Sequence, residues 1–357
     1  MGIAYSLYRL GGEYVYALKL YRQASMNRKL VKDNIGDRRI LSRGQKQLIF
    51  DYWGGYYKHF TPDFHEWYAQ VTGAFSVEYI PDDIWYSKID PFYNDRKAAR
   101  FLDNKCLYDK YFSGVKFPKM IARRISGVWF DCDNYMTDIQ SVATIIKEYD
   151  SCFVKAATNS LGGHGVFFLA GNDLYSQFIS AVGSIDGDVV IQEKIVQHDE
   201  LARLNPSSVN TCRVLSLLRD DKVKVYSSII RMGVGNSKVD NASSGGITCG
   251  VDEAGRLKAV AFSQKGKRYD LHPTTNISFE NIRIPAYTDI IELTKMLHIQ
   301  MPVFKLVSWD WAVDNEGIPV LIEANFCNGE LDFHQMNNGP VFGNDTKMIL
   351  DEVFHKG

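Results

Sequence analysis

The sequence predicts an α+β protein, because a helical, aromatic-rich beginning is followed by strands that pair with their neighbours along the chain. Residues 1–95 carry apolar and aromatic residues at helical spacing. After them, runs of β-branched and aromatic residues come in pairs joined by short turns, as in antiparallel hairpins. We therefore expect a mainly helical N-terminal module at 1–95, an α+β subdomain at 96–196 and a second one at 197–357.

Composition narrows the class of protein. The 357 residues are 45% hydrophobic and 23% charged, which is typical of a soluble globular protein. The net charge of −1, with both signs interspersed, argues against a nucleic-acid partner. Six cysteines without C-x-x-C spacing favour free thiols in a reducing cytosol. No apolar run is long enough for a membrane span or a signal peptide, so we expect a cytoplasmic protein.

The N-terminal module allows two interpretations. Residues 5–30 interleave basic and apolar side chains at helical spacing, which predicts either a packed helix or a basic amphipathic helix in peripheral contact with a membrane or partner. Residues 44–72 predict two helices broken at Thr61-Pro62. Their aromatic residues indicate a core, and an exposed subset would instead form a platform for sugar rings.

The most informative stretch is a predicted hairpin at residues 307–326. Two apolar runs flank a four-residue turn that ends in Gly. If Val313 pairs with Ile318, Asp310 lies diagonal to Glu323 on one face of the hairpin.

Asn325 shares that face, because residues two apart on a strand point the same way. Asp310, Glu323 and Asn325 would then bury three oxygen ligands among apolar neighbours, which is costly unless a cation lies between them. Oxygen ligands without His or Cys favour Mg²⁺, with Mn²⁺ as the alternative. Strand ends that simply reach water are the other interpretation, so the metal site needs support from elsewhere in the chain.

A glycine-rich loop lies between the predicted strands 152–156 and 166–169. Its three glycines would let backbone N–H groups approach an anion closely, and Lys155 would add a positive charge for phosphate. An ordinary hairpin turn is the alternative. Further along, the apolar strand 188–196 passes Glu193 and exposes backbone at residues 194–196, which suits a purine, while Glu200 would suit ribose hydroxyls.

The order and spacing of these features resemble the ATP-grasp superfamily of ATP-dependent carboxylate ligases over about residues 96–357. The resemblance implies the ATP-grasp fold, in which two α+β subdomains with antiparallel sheets clasp ATP. By the same resemblance, the nucleotide would contact Lys105, Lys155, Gly162, Gly163, Gly165, Glu193, Lys194, Val196 and Glu200. The metal ligands would be Asp310, Glu323 and Asn325.

Three residues between these motifs are candidates for catalysis. Arg213 and Arg231 lie on a predicted strand pair and could grip the transferred phosphoryl group or an acceptor carboxylate; an Arg that only reaches water is the alternative. The segment 240–246 resembles the family's Asn-plus-glycines loop, so Asn241 would face the reacting centre and help to stabilise an oxyanion. Two departures from the family are Ser308, where some amino-acid ligases carry a basic residue, and the missing Rossmann-like first domain.

Residues 327–343, together with the N-terminal module, resemble the sugar-transfer-associated ATP-grasp branch, which is encoded among surface-polysaccharide enzymes. The implied reaction joins a carboxylate to an amine through an acyl phosphate and releases ADP. The implied substrates are small-molecule or lipid-linked uronic acids, amino sugars or amino acids bound for a capsule or cell wall. Alternatives are direct phosphoryl transfer to a hydroxyl or amine, and a nucleotide-binding adaptor of polysaccharide machinery. The sequence does not fix the oligomeric state.

Overall fold

The computed structural model describes residues 25–26, 28–29, 31–35, 40–58, 60–158 and 165–355, apart from the side chains of Arg100 and Ser243. The predicted helix at 5–30 lies outside this part of the chain, except for four helical residues at 25–26 and 28–29. The chain divides into two compact units, Met1–Asn94 with Glu330–Gly357, and Asp95–Gly329. The end of the predicted segment 197–357 therefore belongs with the N-terminal unit. Among the described residues, no helix is long and apolar enough to cross a membrane.

The described part of the first unit is mainly helical. Residues 31–35 are helical, and the helices that follow include Arg43–Trp53, Asp63–Thr72 and the consecutive turns Asp82–Ile84, Trp85–Ile89 (a π-helical turn) and Asp90–Tyr93. The C-terminal segment adds Asp332–Asn338, Gly343–Asp345 (3₁₀) and Thr346–His355. Ser42 begins helix Arg43–Trp53 with a capping box, and Gly73 ends helix Asp63–Thr72 in the left-handed conformation. The predicted break at Thr61-Pro62 is confirmed.

Aromatic side chains form the core of this unit. Trp53, Phe64 and Tyr68 are fully buried, and Tyr68 stacks on Tyr79 with ring centroids 4.8 Å apart. Gln335 explains why the C-terminal helices belong here, because its side chain accepts from the backbone N–H of Ile80 and donates to the carbonyl of the same residue, both at 2.9 Å.

The second unit contains two antiparallel sheets. The strands of the six-stranded sheet are β1 Met120–Ile125, β2 Val128–Asp131, β3 Met136–Thr137, β4 Ser151–Ala156, β5 Val166–Ala170 and β6 Val189–Glu193. Their order in the sheet is β3-β2-β1-β6-β4-β5. Helices Ile139–Ile146 and Leu174–Gly183, capped by Asp138 and Asp173, bury their apolar faces against it.

The strands of the seven-stranded sheet are β7 Thr211–Arg219, β8 Lys222–Met232, β9 Ile247–Val251, β10 Leu257–Ser263, β11 Arg268–Tyr269, β12 Leu306–Val313 and β13 Pro319–Asn325. Their order in the sheet is β11-β10-β9-β8-β7-β12-β13. Helix Tyr287–Gln300 packs on one face, where the indole N–H of Trp311 donates to Thr294 at 3.0 Å. Because side chains alternate along a strand, Asp310 points to the opposite face.

The shorter helices of this unit are Arg96–Leu102, Lys105–Leu107 (3₁₀), Tyr108–Tyr111, Asp199–Ala202, Ala242–Ser244 (3₁₀) and Phe279–Asn281 (3₁₀). The sequence from Arg96 to Phe112 also predicts a single helix, and this prediction is wrong, since the chain leaves the helix at Asp103. Asn104 accepts the N–H of Cys106 at 2.9 Å and donates to Asp188 at 2.7 Å, while the N–H of Lys105 donates to the carbonyl of Ala157. These bonds hold Lys105 in a separate turn beside the six-stranded sheet.

The segments before and after the six-stranded sheet both contact the β12–β13 hairpin near its turn. Before the six-stranded sheet, the Lys116 ammonium lies 2.6 Å from Asp314 and the Lys116 carbonyl accepts the N–H of Leu321. After that sheet, the carbonyl of Val196 accepts the N–H of Asn315 at 2.9 Å. The hairpin turn is therefore attached to the chain on both sides of the smaller sheet.

Candidate active site

The β12–β13 hairpin places the predicted metal ligands on one face. Asp310 lies directly opposite Glu323, and Ser308 lies opposite Asn325. The predicted shared face is confirmed, but the predicted register is wrong.

The register differs because Ile318 belongs to the turn. The Asp314 carboxylate accepts the N–H groups of Glu316 and Ile318, and Gly317 adopts a positive φ of 79°, so Val313 pairs with Pro319 instead. A bulge between Asp310 and Trp311 shifts the register once more. The two carboxylates thus face each other directly, a closer arrangement than the predicted diagonal, and bulges are common beside active sites.

Two buried guanidinium groups surround Asp310. Arg213, its register neighbour on β7, donates Nε–H and Nη2–H to the two carboxylate oxygens, each at 2.6 Å, and Nη1 of Arg231 lies 3.1 Å from Oδ2. Asp310, Arg213 and Arg231 are 3%, 5% and 6% exposed. Burial alone would raise the pKa of Asp310, but the charge and hydrogen bonds of Arg213 outweigh it and hold the pKa below its ordinary value. Asp310 is therefore ionised and firmly oriented.

Arg231 extends this network to the loop after β8. Its Nη2 lies 3.4 Å from Oδ1 of Asp240, whose other oxygen accepts the hydroxyl of Thr211. Burial raises the pKa of Asp240 despite the opposing charge of Arg231. The sequence therefore places two acids and two arginines in one buried network on the site face of the larger sheet.

Lys105 contacts the second carboxylate of the hairpin, Glu323. Its ammonium is 2.6 Å from Oε1 of Glu323, and the residue is 8% exposed. Burial lowers the pKa of Lys105, but the charges of Glu323 and Asp103 more than offset this and raise it overall. Burial raises the pKa of Asp103 to about 6, with Lys105 acting in the opposite direction. Lys105 is thus a fixed cation next to a proposed metal ligand.

Lys155 projects from β4 of the smaller sheet. Its Nζ lies 3.1 Å from Oε1 of Gln192 on the neighbouring strand β6. Burial, together with the charge of Lys105, lowers the pKa of Lys155 to about 8. The two lysines therefore interact electrostatically, and an anion bound between them would relieve their repulsion.

The donor set fits a hard cation. Asp310 and Glu323 offer carboxylate oxygens, and the amide nitrogen of Asn325 donates to the carbonyl of Ser308 at 3.2 Å, which identifies its oxygen as the atom for a cation. The described residues contain no group of three or more His, Cys, Asp or Glu that could hold a metal ion. Two carboxylates and an amide oxygen match Mg²⁺, which usually keeps several water ligands.

The glycine-rich loop is described only at its end. Gly162 and Gly163 lie outside the described residues. Gly165 has a positive φ of 71°, and its carbonyl accepts the N–H of Ala156 at 2.8 Å. An added Cβ at Gly165 would come 3.0 Å from the Cβ of Ala156, so glycine is needed where this loop rejoins the sheet.

The residues predicted to contact adenine and ribose follow β6. Glu193 ends that strand with its carboxylate 2.5 Å from Lys119, Lys194 lies 6.0 Å from the ring centre of Phe168, and Glu200 pairs with Arg203 at 2.8 Å. Val196 is 64% exposed. The prediction of exposed backbone at residues 194–196 is wrong for the Val196 carbonyl, because it accepts the N–H of Asn315. The nucleotide-binding roles remain predictions.

The loop that carries Asn241 is held by two tightly packed glycines. An added Cβ at Gly233 would lie 2.5 Å from Oγ of Ser208, and one at Gly246 would lie 2.5–2.9 Å from three carbonyl oxygens. The carbonyl of Asn241 accepts the N–H of Gly246 at 3.1 Å. Asn241 therefore has a fixed backbone next to Asp240, and its proposed contact with the reacting centre stays a prediction.

Sequence reasoning missed Asp240, Thr211, Asp103 and Gln192. Asp240 directly precedes the predicted Asn241, and Asp103 lies two residues before Lys105, so proximity to a motif was the available signal. Thr211 and Gln192 give no such signal, because their roles depend on strand pairing.

Lys155 lies on the six-stranded sheet and Lys105 beside it, while Asp310 and Glu323 lie on a hairpin of the seven-stranded sheet. Two antiparallel sheets that contribute lysines and carboxylates in this way are typical of an ATP-grasp protein. A family model described as "Sugar-transfer associated ATP-grasp" matches residues 86–350, well over half of the sequence. The chain belongs to this family. The predicted fold class is confirmed, and so is the predicted resemblance to the sugar-transfer-associated ATP-grasp branch.

Solved structures with partial likeness include three enzymes. The ADP complex of N5-carboxyaminoimidazole ribonucleotide synthetase has 10% sequence identity and a TM-score of 0.40, and the match covers 64% of this chain and 45% of that one. D-alanyl-alanine synthetase A from Vibrio cholerae has 12% identity and a TM-score of 0.41, with 71% of this chain and 65% of that one covered. The biotin carboxylase domain of Hydrogenobacter thermophilus 2-oxoglutarate carboxylase with MgADP has 12% identity and a TM-score of 0.43, with 73% of this chain and 47% of that one covered. The chain thus spans about half to two thirds of these proteins' lengths. No curated protein matches the sequence.

Proposed function

We propose that this chain is an ATP-dependent carboxylate–amine ligase that forms an amide through an acyl phosphate. The observation that carries the proposal is the directly opposed pair Asp310 and Glu323, flanked by Lys105 and by Arg231. Such a site combines oxygen ligands for Mg²⁺ with fixed cations for phosphate, which is what phosphoryl transfer requires.

The proposed reaction has two chemical steps. A substrate carboxylate oxygen attacks the γ-phosphorus of ATP, and the bond to the bridging oxygen breaks to release ADP. The amine nitrogen then attacks the acyl carbon, the acyl C–O bond to phosphate breaks, and the amine proton leaves with inorganic phosphate or solvent. Bound Mg²⁺ on Asp310, Glu323 and Asn325 would neutralise charge on the β- and γ-phosphates.

The chain's own residues bind and orient the reactants. Lys105 and Lys155 offset phosphate charge, and Arg213 keeps Asp310 ionised and in place. Arg231 presents terminal N–H groups to the phosphoryl group or the substrate carboxylate, and Asn241 supports the oxyanion of the second step. The backbone of the loop ending at Gly165 would cover the phosphates and exclude water, which would otherwise hydrolyse the acyl phosphate.

The family's association with sugar transfer supports a sugar acid, amino sugar or amino acid as substrate, free or lipid-linked, for a surface polysaccharide. Adenine and ribose would lie near Glu193, Lys194, Val196 and Glu200, and Mn²⁺ could replace Mg²⁺. The protein would act in the cytoplasm, where ATP is present.

The test is ADP release from Mg-ATP with panels of sugar acids, amino acids and amines, with products identified by mass. Hydroxylamine should trap a hydroxamate if an acyl phosphate forms. Glu323→Gln should abolish turnover, whereas Glu292→Gln, at an exposed acid on helix Tyr287–Gln300, should leave it unchanged.

Other outcomes identify the alternatives. A phosphorylated product without a hydroxamate would show a phosphotransferase. Nucleotide binding without ADP release from any substrate pair, in wild type and Glu323→Gln alike, would show an adaptor.

A further inference from the structure

The position of Arg231 depends on two carboxylates. Its two terminal nitrogens contact Asp310 and Asp240, while its buried Nε–H has no hydrogen-bond partner among the described residues. Leaving a buried donor unsatisfied is unfavourable. The guanidinium therefore takes an orientation set by the two acids and not by its own hydrogen-bonding capacity.

Asp240 is itself fixed from several sides. Thr211, the register neighbour of Arg231 on β7, donates its hydroxyl to Asp240. An added Cβ at Gly246 would lie 2.5 Å from the Asp240 carbonyl, so this backbone packs against the end of its own loop. One residue thus contacts Arg231 through its side chain and sets the start of the loop that carries Asn241.

We propose that Asp240 is a positioning residue that holds the Arg231 guanidinium and the 240–246 loop in the geometry needed at the reacting centre. The inference rests on the proposed function, in which Arg231 and Asn241 act on the transferred group. An Arg has five N–H donors, so the contacts with the two acids leave further terminal N–H groups for an anion. Asp240 touches neither nucleotide nor metal ligand in this scheme.

The proposal predicts a separation of kinetic effects. Asp240→Asn keeps the size of the side chain but removes the charge that holds Arg231. We expect kcat to fall about tenfold to a hundredfold, since a displacement of about 1 Å costs that much, with the KM for ATP changed less than about twofold. Thr211→Val should shift kcat in the same direction by less. Asp270→Asn, at an exposed acid of the same unit, is the matched control and should behave as wild type.

Hydrogen exchange gives a readout that needs no turnover. The peptide spanning 240–246 should exchange faster in Asp240→Asn than in wild type, while the peptide spanning β13 should not change. Equal loss of kcat and ATP affinity would indicate a general structural defect and overturn the proposal, as would unchanged kinetics. If wild-type protein releases no ADP with any substrate pair, the proposed function fails. The positioning role of Asp240 is then tested by hydrogen exchange of the 240–246 peptide alone, and equal exchange in Asp240→Asn and wild type would overturn it.

Discussion

Replacing Asp310 by Asn tests the charge balance on which the site depends. The carboxylate is 3% exposed and is the shared partner of Arg213 and Arg231. Asn has almost the same shape but would leave two buried guanidinium groups facing a neutral amide. Removing one partner of a buried ion pair costs about 3–5 kcal/mol, and the remaining amide oxygen favours the lower end, so we expect a loss of about 3 kcal/mol.

The assay is hydrogen exchange of a peptide covering β12, because local opening can be measured even when two units do not unfold together. Arg213→Met should cost a similar amount. The double variant should lose less than the sum of the two by about 1–3 kcal/mol, since it removes both charges of the bidentate pair. Losses below about 1 kcal/mol, or strictly additive losses, would refute the reasoning. Asp270→Asn should leave exchange in β12 unchanged.

Three further predictions follow from the site. Because the Lys155 ammonium has a pKa of about 8, affinity for a non-hydrolysable ATP analogue should fall about tenfold between pH 7 and pH 9, and Lys155→Arg should show no such decline; equal pH profiles would contradict this. The raised pKa of Asp103, about 6 against 3.8, means that its ionisation destabilises the fold as pH rises through this range. Asp103→Asn should therefore stabilise the protein in urea unfolding by up to about 3 kcal/mol at pH 7 and not at pH 3; no difference between the two pH values would contradict the sign. Gly246→Ala should destabilise by about 1–3 kcal/mol in the same measurement, because its Cβ meets three carbonyl oxygens, whereas Gly183→Ala, with nothing within 4 Å, should be neutral or stabilising.

Alternation along strands made part of the site predictable. Glu323 and Asn325 had to share a face. Asp310 also lies on it, because the one-residue shift at the turn and the second shift at the bulge together preserve the alternation. The register was not predictable, because it depends on the Asp314 side chain, which accepts the N–H of Ile318 at 2.9 Å and extends the turn, and on the bulge beside Asp310. Local hydrogen bonds of this kind override a pairing derived from turn length alone.

Contacts between distant segments were beyond sequence reasoning. Arg213 and Asp310 are 97 positions apart and meet only because β7 and β12 are neighbours in the sheet. Gln335 and Ile80 are 255 positions apart, and their hydrogen bonds assign the C-terminal helices to the N-terminal unit. In the same way, the helix predicted over 96–112 ended early because Asn104 hydrogen-bonds to Asp188. Strand order and long-range side-chain partners, rather than local propensity, decided each of these features.

The contacts of one hairpin turn with the segments before and after the six-stranded sheet have a mechanical consequence. We expect any rotation of that sheet to pivot near Asp314 and Asn315, since the chain contacts the hairpin there before and after the sheet. Asp310 lies four residues along the same strand, about 13 Å from the pivot. Such a rotation would displace Lys155 while the pairing of Asp310 with Glu323 stays constant. If the proposed function holds, substitutions at the turn should alter how fast nucleotide binds and dissociates without altering the arrangement of the two carboxylates.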